Sequence, residues 1–170
     1  MLTEQRALRL RYLFNELGSC VDRGYCSKDT FGAPTRSGEV RGADPAGCGG
    51  YDCPRGTRPH LAIDYVAEPG EAVLSPIDGK VVRTAFPGKP GLSGLVIEGS
   101  TYTAKVFYIS PDESLLGKFV MVGQQIGVAQ EIRQAYGAPN MINHVHLEMY
   151  RSNVRVNPLS LFGRKSPTGK

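Results

Sequence analysis

Short runs rich in valine, isoleucine and tyrosine alternate with turn residues along the chain after residue 60. Asp78-Gly79 separates two β-branched runs and is typical of a hairpin turn, and the Gly and Pro residues of 87–91 mark another turn. Because no helical periodicity interrupts these runs, they predict a mainly β protein, an antiparallel β-sandwich or flattened barrel. The predicted strands are 61–66, 72–76, 79–86, 94–99, 103–110, 118–121, 125–131, 143–150 and 153–156.

The first 57 residues follow a different pattern. Residues 3–17 predict an N-terminal helix, which Thr3 can cap and Gly18 can end. Its apolar stripe would pack on the rest of the domain and consists of Ala7, Leu10, Leu13, Phe14 and Leu17. Residues 18–57 have little periodicity and many Gly, Pro, Asp and Ser residues, so they predict a cysteine-rich loop region.

All four cysteines, Cys20, Cys26, Cys48 and Cys53, lie in that loop region. An even number of cysteines in a Gly-rich stretch favours two disulfides and an oxidising compartment. The simplest pairing is Cys20–Cys26 with Cys48–Cys53, and the crossed pairings stay open. Free thiols and a second metal site are the alternatives, although the spacings C-x5-C and C-x4-C fit a structural zinc site poorly.

The charge pattern excludes some classes of function. Twenty Lys and Arg residues against 16 Asp and Glu give a net charge of +4, but the basic residues are scattered and do not cluster with aromatic ones. No apolar run approaches the roughly 20 residues that span a bilayer, and residues 1–5 lead into a charged segment rather than an apolar signal sequence. We therefore expect no nucleic-acid partner, no membrane span and no signal peptide in this chain. The pattern indicates no particular oligomeric state.

The three histidines of the chain fall into two short patterns, His60-x-x-x-Asp64 and His144-x-His146. Both spacings are even, so on an extended strand the two members of each pair project from the same face. Two imidazoles and one carboxylate that meet at one point form the three-ligand set of a catalytic zinc site, with the fourth position left for water. The alternative is that each histidine is a separate structural residue.

These motifs and their surroundings resemble the lysostaphin-type zinc peptidases, also called the LytM or duplicated-hybrid-motif family. The similar segments occur in the same order between about Gly47 and about Tyr150, some three-fifths of the chain. They are Arg-Pro-His60-Leu-Ala-Ile-Asp64, Gly70 to Val82, Gly123-Gln-Gln-Ile-Gly127 and His144-Val-His146-Leu-Glu148. Within the family, residues 47–60 and Phe107-Tyr108-Ile109 are most similar to the leukocyte-cell-derived chemotaxin 2 branch.

The resemblance implies a division of the chain and a function. Residues 1–46 would be the N-terminal helix and cysteine-rich extension, residues 47–162 the zinc peptidase-like domain, and residues 163–170 a C-terminal tail. The domain would be a zinc endopeptidase that hydrolyses peptide bonds of bacterial peptidoglycan. Its substrate would be a peptidoglycan peptide, and its location extracytoplasmic: secreted, periplasmic or delivered to a target cell wall.

The resemblance also implies roles for individual residues. His60, Asp64 and His146 would bind Zn²⁺, and His144 would be a catalytic histidine beside the metal. Because β-strand side chains alternate, Val145 and Leu147 should point into the core. Glu148 is predicted to be an ordinary exposed strand residue, and a hydrogen-bond partner of a ligand imidazole is the alternative.

Two positions depart from the family pattern. Active lysostaphin-type enzymes carry a further histidine where this chain has Tyr108, and Ala62 stands where the family usually has Gly. A phenol can donate a hydrogen bond to an oxyanion, but with a pKa of ~10 it is a poor base. Tyr108 is therefore predicted to be a catalytic hydrogen-bond donor; the alternative is an aromatic residue packed within a strand. Since the chemotaxin branch also has Tyr at this position, the alternative function is a non-catalytic, zinc-binding, secreted signalling module.

Overall fold

The computed structural model describes residues 29–162, and this part of the chain is mainly β. Its strands are β1 (Cys53–Arg55), β2 (Arg58–His60), β3 (Ile63–Val66), β4 (Ala72–Leu74), β5 (Gly79–Ala85), β6 (Gly94–Glu98), β7 (Tyr102–Phe107), β8 (Ile109–Pro111), β9 (Phe119–Val120), β10 (Gln125–Ala129), β11 (His144–Arg151) and β12 (Val154–Val156). Two short helices, α1 (Arg133–Tyr136) and α2 (Leu159–Phe162), and one 3₁₀ turn (Glu113–Leu115) complete the described elements.

The strands form antiparallel sheets of three sizes. The largest sheet has the order β12-β11-β7-β6-β5-β9. Strand β3 pairs with the first half of β11 and β12 pairs with its second half. A three-stranded sheet has the order β4-β10-β8, and β1 and β2 form a separate hairpin. One apolar core contains residues of both larger sheets, for example Val73 and Ile126 from the small sheet and Leu95 and Leu147 from the large one. The predicted antiparallel β architecture is confirmed, and the sheets of residues 29–162 do not close into a barrel.

Strand β11 separates the core from the predicted site. Val145, Leu147 and Met149 are fully buried in the core. Because strand side chains alternate between faces, His144 and His146 lie together on the opposite face. The prediction for Val145 and Leu147 is therefore confirmed.

The predicted strand 103–110 is interrupted at Tyr108, which has a left-handed backbone with φ of 66°. The backbone N–H groups of Tyr108 and Ile109 both point at the carbonyl of Ser93, at 2.8 and 3.2 Å. The chain thereby leaves the large sheet as β7 and enters the small sheet as β8. A single continuous strand was the wrong prediction, because one strand cannot pair in both sheets without this break.

The region predicted to be a loop, 18–57, contains part of a hairpin. Strand β1 pairs with β2, so that Cys53 lies opposite His60 and Arg55 lies opposite Arg58, and a disulfide joins Cys48 to Cys53. Residues before position 47 also contact the domain through isolated bridges of Phe31 with Ile77 and Val40 with Tyr65. The predicted helix 3–17, Cys20, Cys26 and the tail 163–170 lie outside the described residues. Between residues 29 and 162, no helix has the length and apolar character of a membrane span.

Candidate metal centre

Three potential ligand atoms converge where β2, β3 and β11 meet: His60 Nε2, Asp64 Oδ1 and His146 Nδ1. Asp64 and His146 lie opposite each other in the β3–β11 ladder. His146 Nδ1 is 2.8 Å from Asp64 Oδ1, and His60 Nε2 is 3.2 Å from both atoms. Tetrahedral zinc with bonds of about 2.0–2.2 Å places neighbouring ligand atoms about 3.3–3.6 Å apart. The donor set therefore fits zinc: two of the three distances lie close to this spacing, and the His146–Asp64 distance is shorter. Ala62, which stands where the family usually has Gly, is buried in the same cleft.

Hydrogen bonds orient the two candidate ligand histidines. His60 Nδ1 lies 3.0 Å from the carbonyl of Gly50, to which it donates, so Nε2 keeps its lone pair for a metal. His146 turns Nδ1 toward Asp64, and its Nε2 lies 3.6 Å from Glu148 Oε1. Metal-binding histidines commonly donate their second N–H to a carbonyl or a carboxylate, as His60 does to Gly50.

Asp64 divides its two oxygens between the histidines and two arginines. Its side chain is fully buried, and Oδ2 accepts from Arg41 Nη1 at 3.1 Å and from Arg55 Nη2 at 2.8 Å. Burial raises the pKa of this carboxyl, but its contacts with His146 and His60 outweigh burial and hold the pKa well below its usual range. Oδ1 is thus the oxygen of an ionised carboxylate that faces the metal position.

A buried ion pair continues from Asp64 into the domain. Arg41, also fully buried, donates from Nε and Nη2 to the two oxygens of Asp44, at 2.9 and 2.6 Å. Asp44 also accepts from the backbone N–H of Ala46 and of Ile142, each at 2.8 Å. Although burial raises the pKa of Asp44, Arg41 and these N–H groups lower it to about 2. The pair therefore fixes the segment that leads into β11.

His144 lies beside the ligand atoms at the end of this hydrogen-bond chain. Its Nδ1 donates to the carbonyl of Ile142 at 2.7 Å, and its Nε2 is 3.4 Å from Asp64 Oδ2. Burial lowers the pKa of His144 below its ordinary value. The imidazole is therefore neutral near pH 7, with Nε2 as the nitrogen that can accept a proton.

Tyr108 contacts both histidines of β11. Its ring centroid is 5.5 Å from that of His144 and 5.8 Å from that of His146, and its hydroxyl is 2.6 Å from the hydroxyl of Tyr136 in α1. Burial, followed by the hydrogen bond to Tyr136, raises the pKa of Tyr108 further above 10. The phenol stays protonated and can act as a hydrogen-bond donor.

One cleft of about 630 Å³ contains all five predicted site residues, namely His60, Asp64, Tyr108, His144 and His146. The model of Peptidase family M23 matches residues 58–158, which is more than half of the chain. The chain belongs to Peptidase family M23. This membership indicates a metallopeptidase domain and confirms the resemblance to lysostaphin-type peptidases drawn from the motifs.

Two curated relatives share part of this M23 domain. The chain is 28% identical to Myeloid protein 1 of Gallus gallus over 123 residues, which are 69% of the chain and 36% of the relative. It is 27% identical to an uncharacterized metalloprotease of Haemophilus influenzae over 105 residues, which are 61% of the chain and 21% of the relative. The chain thus spans about a third and a fifth of the length of these relatives.

Solved structures share the fold. Csd3 of Helicobacter pylori superposes with a TM-score of 0.58 at 24% identity, covering 81% of the chain and 34% of Csd3. A zinc-containing peptidase from Vibrio cholerae gives 0.53 at 22% identity, with 81% and 41% covered. The antimicrobial peptidase lysostaphin from Staphylococcus simulans gives 0.51 at 22% identity, with 73% and 53% covered. The chain therefore has the fold of these three proteins.

Glu148 of the M23 domain is buried, so the prediction of an exposed strand residue was wrong. It lies on the same face of β11 as His146, and only 8% of the residue is exposed. Its carboxylate accepts from Arg155 Nη2 and from the hydroxyl of Tyr150, each at 2.6 Å. Burial raises the pKa of Glu148, but His146, Tyr150 and Arg155 lower it to about 2.

We expect Glu148→Gln to lower the free energy of unfolding of the metal-free protein at pH 7 and to flatten its acid dependence. A carboxyl whose folded pKa lies near 2 instead of 4.5 stabilises the fold fully above pH 4.5, and this stabilisation is lost as the pH falls toward 2. Urea unfolding with a chelator present, at several pH values in this window, measures the effect. The exposed Glu98 provides a control variant, Glu98→Gln. Parallel pH profiles for the wild type and Glu148→Gln would contradict the prediction.

Four residues that complete this site do not belong to the sequence motifs: Arg41, Asp44, Arg55 and Tyr136. Arg41 and Asp44 lie in a Gly-rich segment without periodicity, and Tyr136 lies in a helix of only four residues. Arg55 is placed by the hairpin β1–β2, whose Pro54 and Pro59 obscure a strand pattern because proline cannot donate in a ladder.

Proposed function

We propose that this M23 domain is a zinc-dependent endopeptidase that hydrolyses peptide bonds of bacterial peptidoglycan. His60, Asp64 and His146 would bind Zn²⁺, and His144 and Tyr108 would be catalytic residues. The observation that carries this proposal is the convergence of the three ligand atoms beside His144, whose Nδ1 is held by the carbonyl of Ile142 so that Nε2 can accept a proton. The Cys48–Cys53 disulfide supports an extracytoplasmic location, since disulfides persist in oxidising compartments.

When bound, zinc supplies Lewis acidity, which acidifies water and polarises a peptide carbonyl. His144 Nε2 would take a proton from the attacking water and deliver it to the leaving amine. The carbonyl of Ile142 holds the opposite nitrogen of the ring, so the same tautomer is ready for each cycle.

The two phenols at the cleft would stabilise the negative charge that develops on the carbonyl oxygen. In the Tyr108–Tyr136 pair one hydroxyl donates to the other, which leaves the O–H of the accepting phenol free to donate to substrate. Tyr108 is the member of the pair that also contacts His144 and His146. We therefore assign the oxyanion contact to Tyr108 and the support of its hydroxyl to Tyr136.

Tyr108→Phe is expected to lower kcat by about one to three orders of magnitude, the effect of removing one oxyanion donor. Zinc affinity should be unchanged, because the three ligands and their hydrogen bonds stay in place. Steady-state hydrolysis and chelator competition measure the two quantities, with Tyr136→Phe as the matched variant that keeps the Tyr108 hydroxyl. A Tyr108→Phe enzyme with the wild-type kcat would exclude the oxyanion role.

Hydrolysis of purified peptidoglycan by the zinc-loaded protein tests the proposed function directly. Mass spectrometry should detect new amine-bearing fragments with the wild type and not with His144→Ala. The fragments also identify the bond that is cut. Absence of products, with zinc bound at one ion per chain, would refute the peptidase function.

One observation favours a second candidate function, a non-catalytic zinc-binding secreted signalling or binding module. Tyr108 occupies the position of a histidine that active lysostaphin-type enzymes carry. In such a module the same three ligands would hold zinc for stability, and zinc removal would lower the unfolding temperature without any peptidase activity to lose.

A further inference from the structure

The walls of the cleft carry more cationic than anionic side chains. The cations are Arg55, Arg58, Lys105 and Arg155, and the carboxylates are Asp64 and Glu148. Counted on these six side chains alone, the lining is net positive before any metal ion is counted. A cleft with one sign of charge concentrates ligands of the opposite sign.

The two carboxylates are already matched by arginines. Arg55 Nη2 lies 2.8 Å from Asp64, and Arg155 Nη2 lies 2.6 Å from Glu148. Arg58 and Lys105 have no carboxylate partner within residues 29–162. The Lys105 ammonium lies 4.4 Å from the ring centroid of Tyr150 and donates to the Tyr150 hydroxyl at 3.3 Å, which leaves further N–H donors free.

Strand register directs Arg58 into the cleft. Arg58 is the cross-strand partner of Arg55, and directly opposed residues project from the same face of an antiparallel pair. Since Arg55 reaches Asp64 from that face, Arg58 stands on the metal side of the hairpin. It is exposed and lies two residues from His60, about 7 Å along the strand.

Lys105 lies at a comparable place on the large sheet. It is opposite Glu148 in the β7–β11 ladder, as Phe107 is opposite His146. Lys105 is therefore two residues, about 7 Å along the strand, from the cross-strand pair of Phe107 and His146, which contains a candidate metal ligand. The two unmatched cations thus come from two different walls, the hairpin and the large sheet, at similar distances from the metal centre.

We infer that Arg58 and Lys105 are specificity residues that bind a free carboxylate of the peptide substrate. This carboxylate would lie within about two residues of the scissile bond, because an extended peptide advances about 3.3 Å per residue. This inference rests on the proposed peptidase function and names its substrate class, an anionic rather than a neutral glycine-rich peptide. A neutral peptide in the cleft would cover both cations without matching their charge, whereas a carboxylate accepts a charge-assisted hydrogen bond from either.

The test compares soluble muropeptides with the same muropeptides after their carboxylates have been converted to amides with carbodiimide and ammonia. With the zinc-loaded full chain, kcat/KM should be at least about tenfold higher for the native form, as expected for one lost charge-assisted contact. Arg58→Gln/Lys105→Gln should remove most of this preference by raising KM while kcat stays close to that of the wild type. Arg83→Gln/Lys118→Gln, two exposed cations outside the cleft lining, should keep the preference.

The outcomes separate this inference from the proposed function. Equal hydrolysis of both forms by the wild type would overturn the inference and leave the peptidase function standing. If neither form is hydrolysed, the peptidase function fails, and calorimetric titration of the zinc-loaded protein with both forms still decides whether Arg58 and Lys105 bind a peptide carboxylate. A roughly tenfold preference in Kd that the double variant loses supports it; equal binding, or no binding, overturns it.

Discussion

His144→Ala is expected to lower kcat for peptide hydrolysis by about two to four orders of magnitude, the usual contribution of a general acid–base residue. The variant removes the Nε2 that is free to accept a proton, while His60, Asp64 and His146 keep their mutual contacts. Zinc affinity should therefore stay close to that of the wild type. Loss of the proton acceptor and loss of the metal are separable in this site.

Two measurements on the same preparations make that separation. Quantitative mass spectrometry of released amines gives kcat, and competition with a chromophoric chelator gives the zinc Kd. His146→Ala is the matched control on the same strand, and it should lose zinc as well as activity. A His144→Ala protein that hydrolyses peptide at the wild-type rate would end the proposed catalytic role, and one that no longer binds zinc would make His144 a ligand.

Arg41→Met is expected to lower the free energy of unfolding by about 3–5 kcal/mol, the cost of removing one partner from a buried ion pair. The side chains of Arg41 and Asp64 are fully buried, and that of Asp44 is 5% exposed. Methionine fills a similar volume but leaves the Asp44 carboxylate without its cation. Asp64 retains Arg55, so the larger part of the loss should come from Asp44.

Urea unfolding of the metal-free protein measures this effect without interference from zinc binding. Arg55→Met is the matched control, because its side chain is 28% exposed and makes one of the ion pairs of Asp64; its cost should be smaller. Arg41→Lys keeps the charge but loses the planar fork that reaches both carboxylates, so an intermediate loss is expected. An Arg41→Met protein within about 1 kcal/mol of the wild type, the effect of an ordinary substitution, would contradict this account.

The candidate ligands were predictable because their spacing matches the geometry of their strands. An even separation places His144 and His146 on one face of β11 whatever the rest of the fold does. The burial of a side chain was harder to predict than the face of the strand from which it projects. Glu148 follows the same alternation, but its partner Arg155 comes from β12, and a cross-strand contact of this kind leaves no local pattern in the sequence.

The remaining parts of the site depend on long-range contacts. Asp44, besides its ion pair with Arg41, accepts from the backbone N–H of Ile142, which lies 98 residues later in the chain. The break at Tyr108 arises because consecutive residues pair in different sheets, although Val106, Phe107, Tyr108 and Ile109 are all good strand formers. Local propensity describes the elements of this domain well, whereas tertiary pairing decides where an element is cut and which polar groups meet.

The left-handed backbone at Tyr108 limits which residues this position can accept during evolution or engineering. With φ of 66°, β-branched residues such as Val or Ile are strongly disfavoured, whereas His is one of the residue types enriched in this conformation. The histidine of active lysostaphin-type enzymes therefore suits the same backbone. We therefore expect Tyr108→His to exchange a hydrogen-bond donor for a base without moving the junction between the two sheets, so that the chemistry of this position changes and its backbone conformation does not.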